Sequence, residues 1–237
     1  MIFSMSNKST NDPILKSHRK ISLTAGILYL LTFVSIPTLS LYHSVKSANY
    51  VIGAGPDTSA IVGGLLEIIV ALASIATAVV LFPILKRQSE TLALGLVAAR
   101  ILEASTIFVG VAFLLSIVTL RQAGAGSDAL VTSHALTALY DRIFLLGQSF
   151  MPAINDLLLG FLLYKSRLVP RALSLIGIVG AFPLLAGYLA IMLGHLDQHS
   201  SLAGSSAFLV ALFEFVLGIW LAVKGFNQKA VEDLASK

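Results

Sequence analysis

Apolar residues run in six long blocks along this chain, over about 21–42, 60–85, 92–120, 136–164, 172–194 and 205–226, and polar residues gather mostly between them. Blocks of about 20 residues match the length a helix needs to cross a ~30 Å hydrocarbon layer. Backbone groups in that layer must bond within their own segment, which selects helices. The pattern predicts an all-α polytopic membrane protein with six transmembrane helices in one bundle.

Residues 1–20 are polar and end in Lys16, Arg19 and Lys20. The block after them is too long for a signal-peptide core, and Lys46-Ser47-Ala48 puts a lysine where cleavage needs a small residue, so an uncleaved first span is expected. A single domain over 21–226 is expected, with polar tails at 1–20 and 227–237.

Charge then orients the spans. Lys8, Lys16, Arg19, Lys20, Lys86, Arg87, Lys165, Arg167, Arg171, Lys224, Lys229 and Lys237 fall on one side of the predicted topology, and only Lys46 and Arg121 on the other. Cytoplasmic loops carry the Lys and Arg excess, so both termini are expected in the cytoplasm, with outward loops at about 43–59, 121–135 and 195–204. The net charge of +4 is accounted for by this rule, and nucleic-acid binding is not implied. Composition agrees: 57% hydrophobic and 12% charged residues stand far from the roughly 25% charged content of soluble domains. The chain has no cysteine, which excludes disulfides, thiol catalysis and thiolate metal sites.

The stretches Leu92-Ala93-Leu94, Ala99-Arg100-Ile101-Leu102-Glu103 and Leu162-Leu163-Tyr164-Lys165-Ser166-Arg167-Leu168-Val169-Pro170-Arg171 resemble a bacterial family of multi-pass membrane proteins, domain-of-unknown-function family 4386. The resemblance runs from about Lys20 to Phe226. It implies a bacterial inner-membrane location and assigns no activity, so no catalytic residue is carried over.

Five acids (Glu67, Glu103, Asp141, Asp156 and Glu214) and two arginines (Arg100 and Arg142) fall inside the predicted spans. At roughly 2.5–3.5 kcal/mol for a charge at a helix centre, they must pair, hold a proton, or meet water or a ligand. A rise of 1.5 Å per residue puts Arg100 and Asp156 each roughly 12 Å from the inner ends of their helices, so an ion pair between them is feasible. Glu103 lies one turn from Arg100 on the same face, and Glu214 falls at a similar depth. This group holds three acids and one base, which favours a protonatable carboxyl. Glu67, Asp141 and Arg142 are expected nearer the outer surface, where water solvates them.

The fourth block has a polar side, with His134, Asp141, Gln148 and Asn155 at seven-residue intervals and Asp156 beside the last. Pro152 within it removes the hydrogen bond to the Gln148 carbonyl, so that carbonyl, the two amides and the carboxylate are expected to converge. Transporters use such broken helices to hold ions or substrates. The candidate ligand- or ion-binding set is therefore Arg100, Glu103, Gln148, Asn155, Asp156 and Glu214. A packed polar cluster that only fixes helix register is the competing reading of the same residues.

Other features carry less chemistry. Gly180, Gly187 and Gly194, with Gly177 nearby, form a small-residue ridge suited to close helix packing. His43, His134, His195 and His199 fall on the outer side, but a mobile loop seldom fixes the three or four ligands a zinc site needs, so no metal is expected. No Walker loop, dinucleotide glycine pattern, zincin helix or serine elbow occurs, and no cofactor is expected. Three classes follow: a membrane protein whose polar cluster takes a small ligand, ion or lipid; a small transporter or channel built on a protonatable carboxylate; and a structural or regulatory partner. An enzyme using Glu103 and Asp156 ranks below them, for want of a nucleophile or metal triad. The only partner implied is the lipid bilayer.

Overall fold

The computed structural model describes residues 13–236; Lys237 and the first twelve residues of the tail expected at 1–20, Lys8 among them, lie outside these. Every regular element among the described residues is helical. In chain order these are α1 Pro13–Thr32, α2 Thr38–Leu41, α3 Thr58–Leu85, α4 Glu90–Gln122, α5 Leu130–Leu145, α6 Met151–Ser166, α7 Arg171–Met192, α8 Ser201–Ser206, α9 Phe208–Val223 and α10 Gln228–Ala235. Six of them close a ring, in which α1 touches α3, α3 touches α4, and contacts continue through α6, α7 and α9 back to α1. Helix α5 lies against α4 and runs into α6.

Local chemistry sets the turns. The α3–α4 hairpin closes at Ser89, whose extended backbone and side-chain acceptor for the Leu92 N–H (3.4 Å) cap α4. The α6–α7 hairpin turns at Arg167, which is left-handed (φ 58°), and at Pro170, which precedes α7. Helix α9 ends where Arg19 of α1 reaches its free carbonyls, with Nη1 donating to Leu221 O (3.0 Å) and Nη2 to Ala222 O (2.7 Å).

The outside of the ring is apolar. On α3, Leu65, Leu72 and Val79 are more than half exposed at seven-residue spacing, and Leu94, Ile101 and Phe108 are exposed at the same spacing on α4. Surfaces of that kind belong in lipid. The stretches 17–41, 58–85, 90–122, 126–166 and 171–192 are each long and apolar enough to cross a membrane. The sixth block holds α9, whose 16 residues lie within the span expected at 205–226 and which reaches the length of a span together with α10, bent from it by 88°, so the chain has five to six candidate spans. The expected polar tail after it is instead amphipathic: Ala230, Val231 and Leu234 of α10 are buried in the same cluster as Leu81, Leu85, Leu162 and Leu221.

Small residues set the ring's closeness. A Cβ at Gly26 would lie 2.5 Å from Ala222 N, so α1 and α9 meet backbone to backbone. On α7, Gly177 faces the Phe213 ring and Gly180 faces Leu209, as the ridge predicts, whereas Gly194 has positive φ beyond the helix end and faces open space.

Pro152 is accommodated without a sharp kink. Residues Leu146–Phe150 form one π-helical turn, and the Met151 N–H donates to Leu146 O five residues back. The wide turn absorbs the hydrogen bond that proline cannot make.

Candidate functional site

Two polar centres lie inside the ring. The inner one is built on Arg100, which is 2% exposed. Its Nη1 donates to Glu103 Oε2 (2.9 Å) and its Nη2 to Glu214 Oε1 (2.5 Å) and to the Tyr29 hydroxyl (3.4 Å). Its guanidinium also lies over the Tyr29 ring, 5.5 Å from the centroid. Asn155 Nδ2 donates to the same Glu103 oxygen (2.8 Å). Helices α1, α4, α6 and α9 thus meet at one guanidinium, which gives five of the six candidate residues a common location.

Two expectations are corrected here. Arg100 is not paired with Asp156, because its fork is already occupied by Glu103 and Glu214. Asp156 is fully buried, and neither of its carboxyl oxygens has a hydrogen-bond partner. It feels Glu214, Arg100 and Glu103 only through space. Gln148 is the second correction: it belongs to the other centre. The π turn adds a residue between Gln148 and Asn155, which breaks the seven-residue register, and the two amides serve different carboxylates.

The outer centre is built on Glu67 of α3, which is 1% exposed and not solvated as its position suggests. Tyr42 donates to its Oε2 (3.1 Å), and Tyr140 (3.2 Å) and Gln148 Nε2 (3.3 Å) donate to its Oε1. Glycine makes room for one of the rings: a Cβ at Gly63 would lie 2.6 Å from the Tyr42 ring. The two rings meet edge to face, with centroids 5.6 Å apart. Asp141 pairs with Lys46 (2.5 Å), which also lies over the Tyr140 ring, while Arg142 is exposed.

Tyr42, Tyr140 and Gln148 also line a cavity of about 460 Å³ on the side of the 43–57 loop. Leu39, Phe144, Leu184 and Ile191 supply apolar wall; Lys46, Asp141, Gln198 and His199 supply polar groups. A volume of this order, largely apolar with few polar groups, suits a small ligand. Gln198 ties the neighbouring loop to α5 through the Asp141 carbonyl (3.1 Å).

Beside it the 43–57 loop is fastened at Asp57, which accepts hydrogen bonds from Tyr50, from Arg121 and from Gln122 (2.9 Å). Burial works against the Asp57 charge, but the Tyr50, Gln122 and Arg121 hydrogen bonds prevail and hold its carboxyl below the usual range. Burial, and then the Asp57 carboxylate, push the Tyr50 hydroxyl up to about 12. Of the outer histidines, His134 contacts the Ala48 carbonyl (3.0 Å) and His199 lies 3.9 Å from Asp197. Among the described residues no three His, Asp or Glu side chains assemble as metal ligands.

Tyr29, Tyr42 and Tyr140 join these centres although they are absent from the candidate set; their signal was the tyrosine hydroxyl, which needs a hydrogen-bond partner when buried.

No curated protein and no solved structure matches the chain. The sequence model of one family, described as a domain of unknown function (DUF4386), matches residues 24–225, and the chain belongs to that family.

Proposed function

We propose that the protein binds a small amphiphilic ligand in the outward cavity, with the Tyr42, Tyr140 and Gln148 groups as its polar floor, and that the Arg100 cluster holds the helix ring in register. We further place it in the bacterial inner membrane with both termini in the cytoplasm. The basic residues gathered at the Arg19 and α10 end of the ring support that orientation. The observation that carries the binding reading is a cavity of about 460 Å³ whose polar lining residues are held by a buried carboxylate. Tyrosine hydroxyls and an amide can turn from Glu67 to a ligand without breaking an ion pair.

The test is native mass spectrometry and thermal melting of detergent-purified protein with its co-extracted small molecules and lipids. Gly204 lines the cavity, and a Cβ there meets no atom within 4 Å, so Gly204→Trp fills the space without a backbone clash. Wild type should carry a ligand that raises its melting temperature, and Gly204→Trp should fold but lose that ligand. A wild type with no bound species and no response, or a variant that keeps the ligand, overturns the reading.

One observation favours a second reading, a transporter coupled to a proton or cation: the Asp156 carboxyl, buried and without hydrogen bonds just past the π turn. On that reading Asp156→Asn abolishes flux in proteoliposomes. Its folding stays intact on either reading, because no donor is lost.

A further inference from the structure

At the opposite end of the ring, the α6–α7 turn and the α9–α10 turn enclose a second cavity, of about 450 Å³. Arg167, Arg171 and Lys224 line it together with Trp220, Phe226 and Asn227, and no carboxylate does. The two turns are joined by the Asn227 N–H, which donates to Leu168 O (2.8 Å), so the cations are carried on a closed piece of backbone. Among the described residues, none of the three forms an ion pair with an acid.

Two further features mark the place. Arg167 is the only non-glycine residue with positive φ among the described residues. A left-handed arginine, where glycine would sit without strain, is an outlier that points to a use for its side chain. Helix α7 also starts here with no capping side chain, so its first-turn amides add to the positive field. The surroundings are those of a membrane interface. Arg171 lies over the Tyr164 ring (4.9 Å) and Lys165 over the Phe161 ring (5.5 Å). Away from the cavity the two helices present exposed apolar rows, Leu175, Val179 and Phe182 on α7 and Val223, Ile219 and Phe215 on α9.

We infer that this cavity binds an anionic phosphate group, presented by the headgroup of an acidic phospholipid whose chains lie along α7 and α9, or free in solution. Three unpaired cations, uncapped helix amides and an amphipathic indole provide what a lipid phosphate at an interface needs. The apolar rows favour the lipid as its source.

Trp220 is the only tryptophan of the chain and lines the cavity, so it reports occupancy directly. The experiment titrates full-length detergent-purified protein with brominated phosphatidylglycerol, with brominated phosphatidylcholine, and with inorganic phosphate. Quenching by phosphatidylglycerol should be about tenfold tighter than by phosphatidylcholine, and Arg167→Gly combined with Lys224→Gln should bring the ratio close to one. Glycine keeps the left-handed turn, and an unchanged emission maximum and melting temperature of the unliganded variant verify its fold. Lipid preference that millimolar phosphate leaves intact assigns a lipid headgroup. A saturable response to phosphate without lipid preference, lost in the variant, assigns a free phosphate. Equal quenching by both lipids with no phosphate response, or a preference that persists in the variant, overturns the inference.

Discussion

The two polar centres inside the ring solve the same problem in different ways. At the inner centre a guanidinium satisfies two carboxylates from α4 and α9, and Arg100 is sealed from solvent. At the outer centre a carboxylate of equal burial is held by two hydroxyls and an amide, all three of which line a cavity. Pairing charge with charge locks helices together, since either partner left alone in an apolar interior is costly. Neutral donors bind less strongly and can exchange one acceptor for another. The difference underlies the proposed function, in which the more heavily charged centre is the scaffold and the one with neutral donors is the candidate site.

The largest expected effect comes from breaking the first centre. Arg100→Leu leaves the buried Glu103 and the half-buried Glu214 without their cation, and should destabilise the protein by about 3–5 kcal/mol, as removal of one member of a buried pair does. Thermal or SDS unfolding of the purified variant measures it. Arg100→Lys restores the charge but not the two-pronged geometry, and should fall between the variant and wild type. Glu67→Gln is the matching change at the outer centre. It keeps an acceptor for the Tyr42 and Tyr140 hydroxyls, so its cost should be about 1 kcal/mol, in the range of interhelical hydrogen bonds in membranes. If Glu67→Gln costs as much as Arg100→Leu, the distinction between scaffold and site fails.

The division between the centres was only partly legible in the chain. Long apolar blocks foretold the helices, because that pattern answers to the bilayer alone. Arg100, Glu103 and Glu214 came together as depth counting suggested, since α4 and α9 are regular helices with a constant rise. Gln148 went elsewhere because Pro152 is absorbed by a π turn, and a seven-residue pattern cannot register an inserted residue. Glu67 was misread as solvated because its partners are Tyr42, which lies beyond α2, and Tyr140 on α5. The 43–57 loop that follows Tyr42 is fastened by Tyr50 and Asp57 to Arg121, which is far from both in the chain.

That loop provides the smallest effect and a third way of holding a carboxylate. Asp57 has a cation, as the inner centre has, and neutral donors, as the outer one has, but it sits in the loop outside the spans. Because its folded carboxyl titrates below its ordinary value, the unfolded chain binds the proton first as pH falls. Its contribution is therefore complete above that ordinary value, roughly pH 4, and is lost as pH drops through the lower folded value. The melting temperature of wild type should exceed that of Asp57→Asn at neutral pH, and the gap should narrow as pH is lowered from about 6 to about 3, reading the proton linkage directly. Salt should shrink the same gap at neutral pH, because part of it is an ion pair near water. The Arg100 centre, sealed in the ring, should show no such response to salt. A gap that is flat in pH and salt would mean that Asp57 fastens the loop by shape alone, and that its ion pair with Arg121, unlike those of Arg100, adds nothing to the fold.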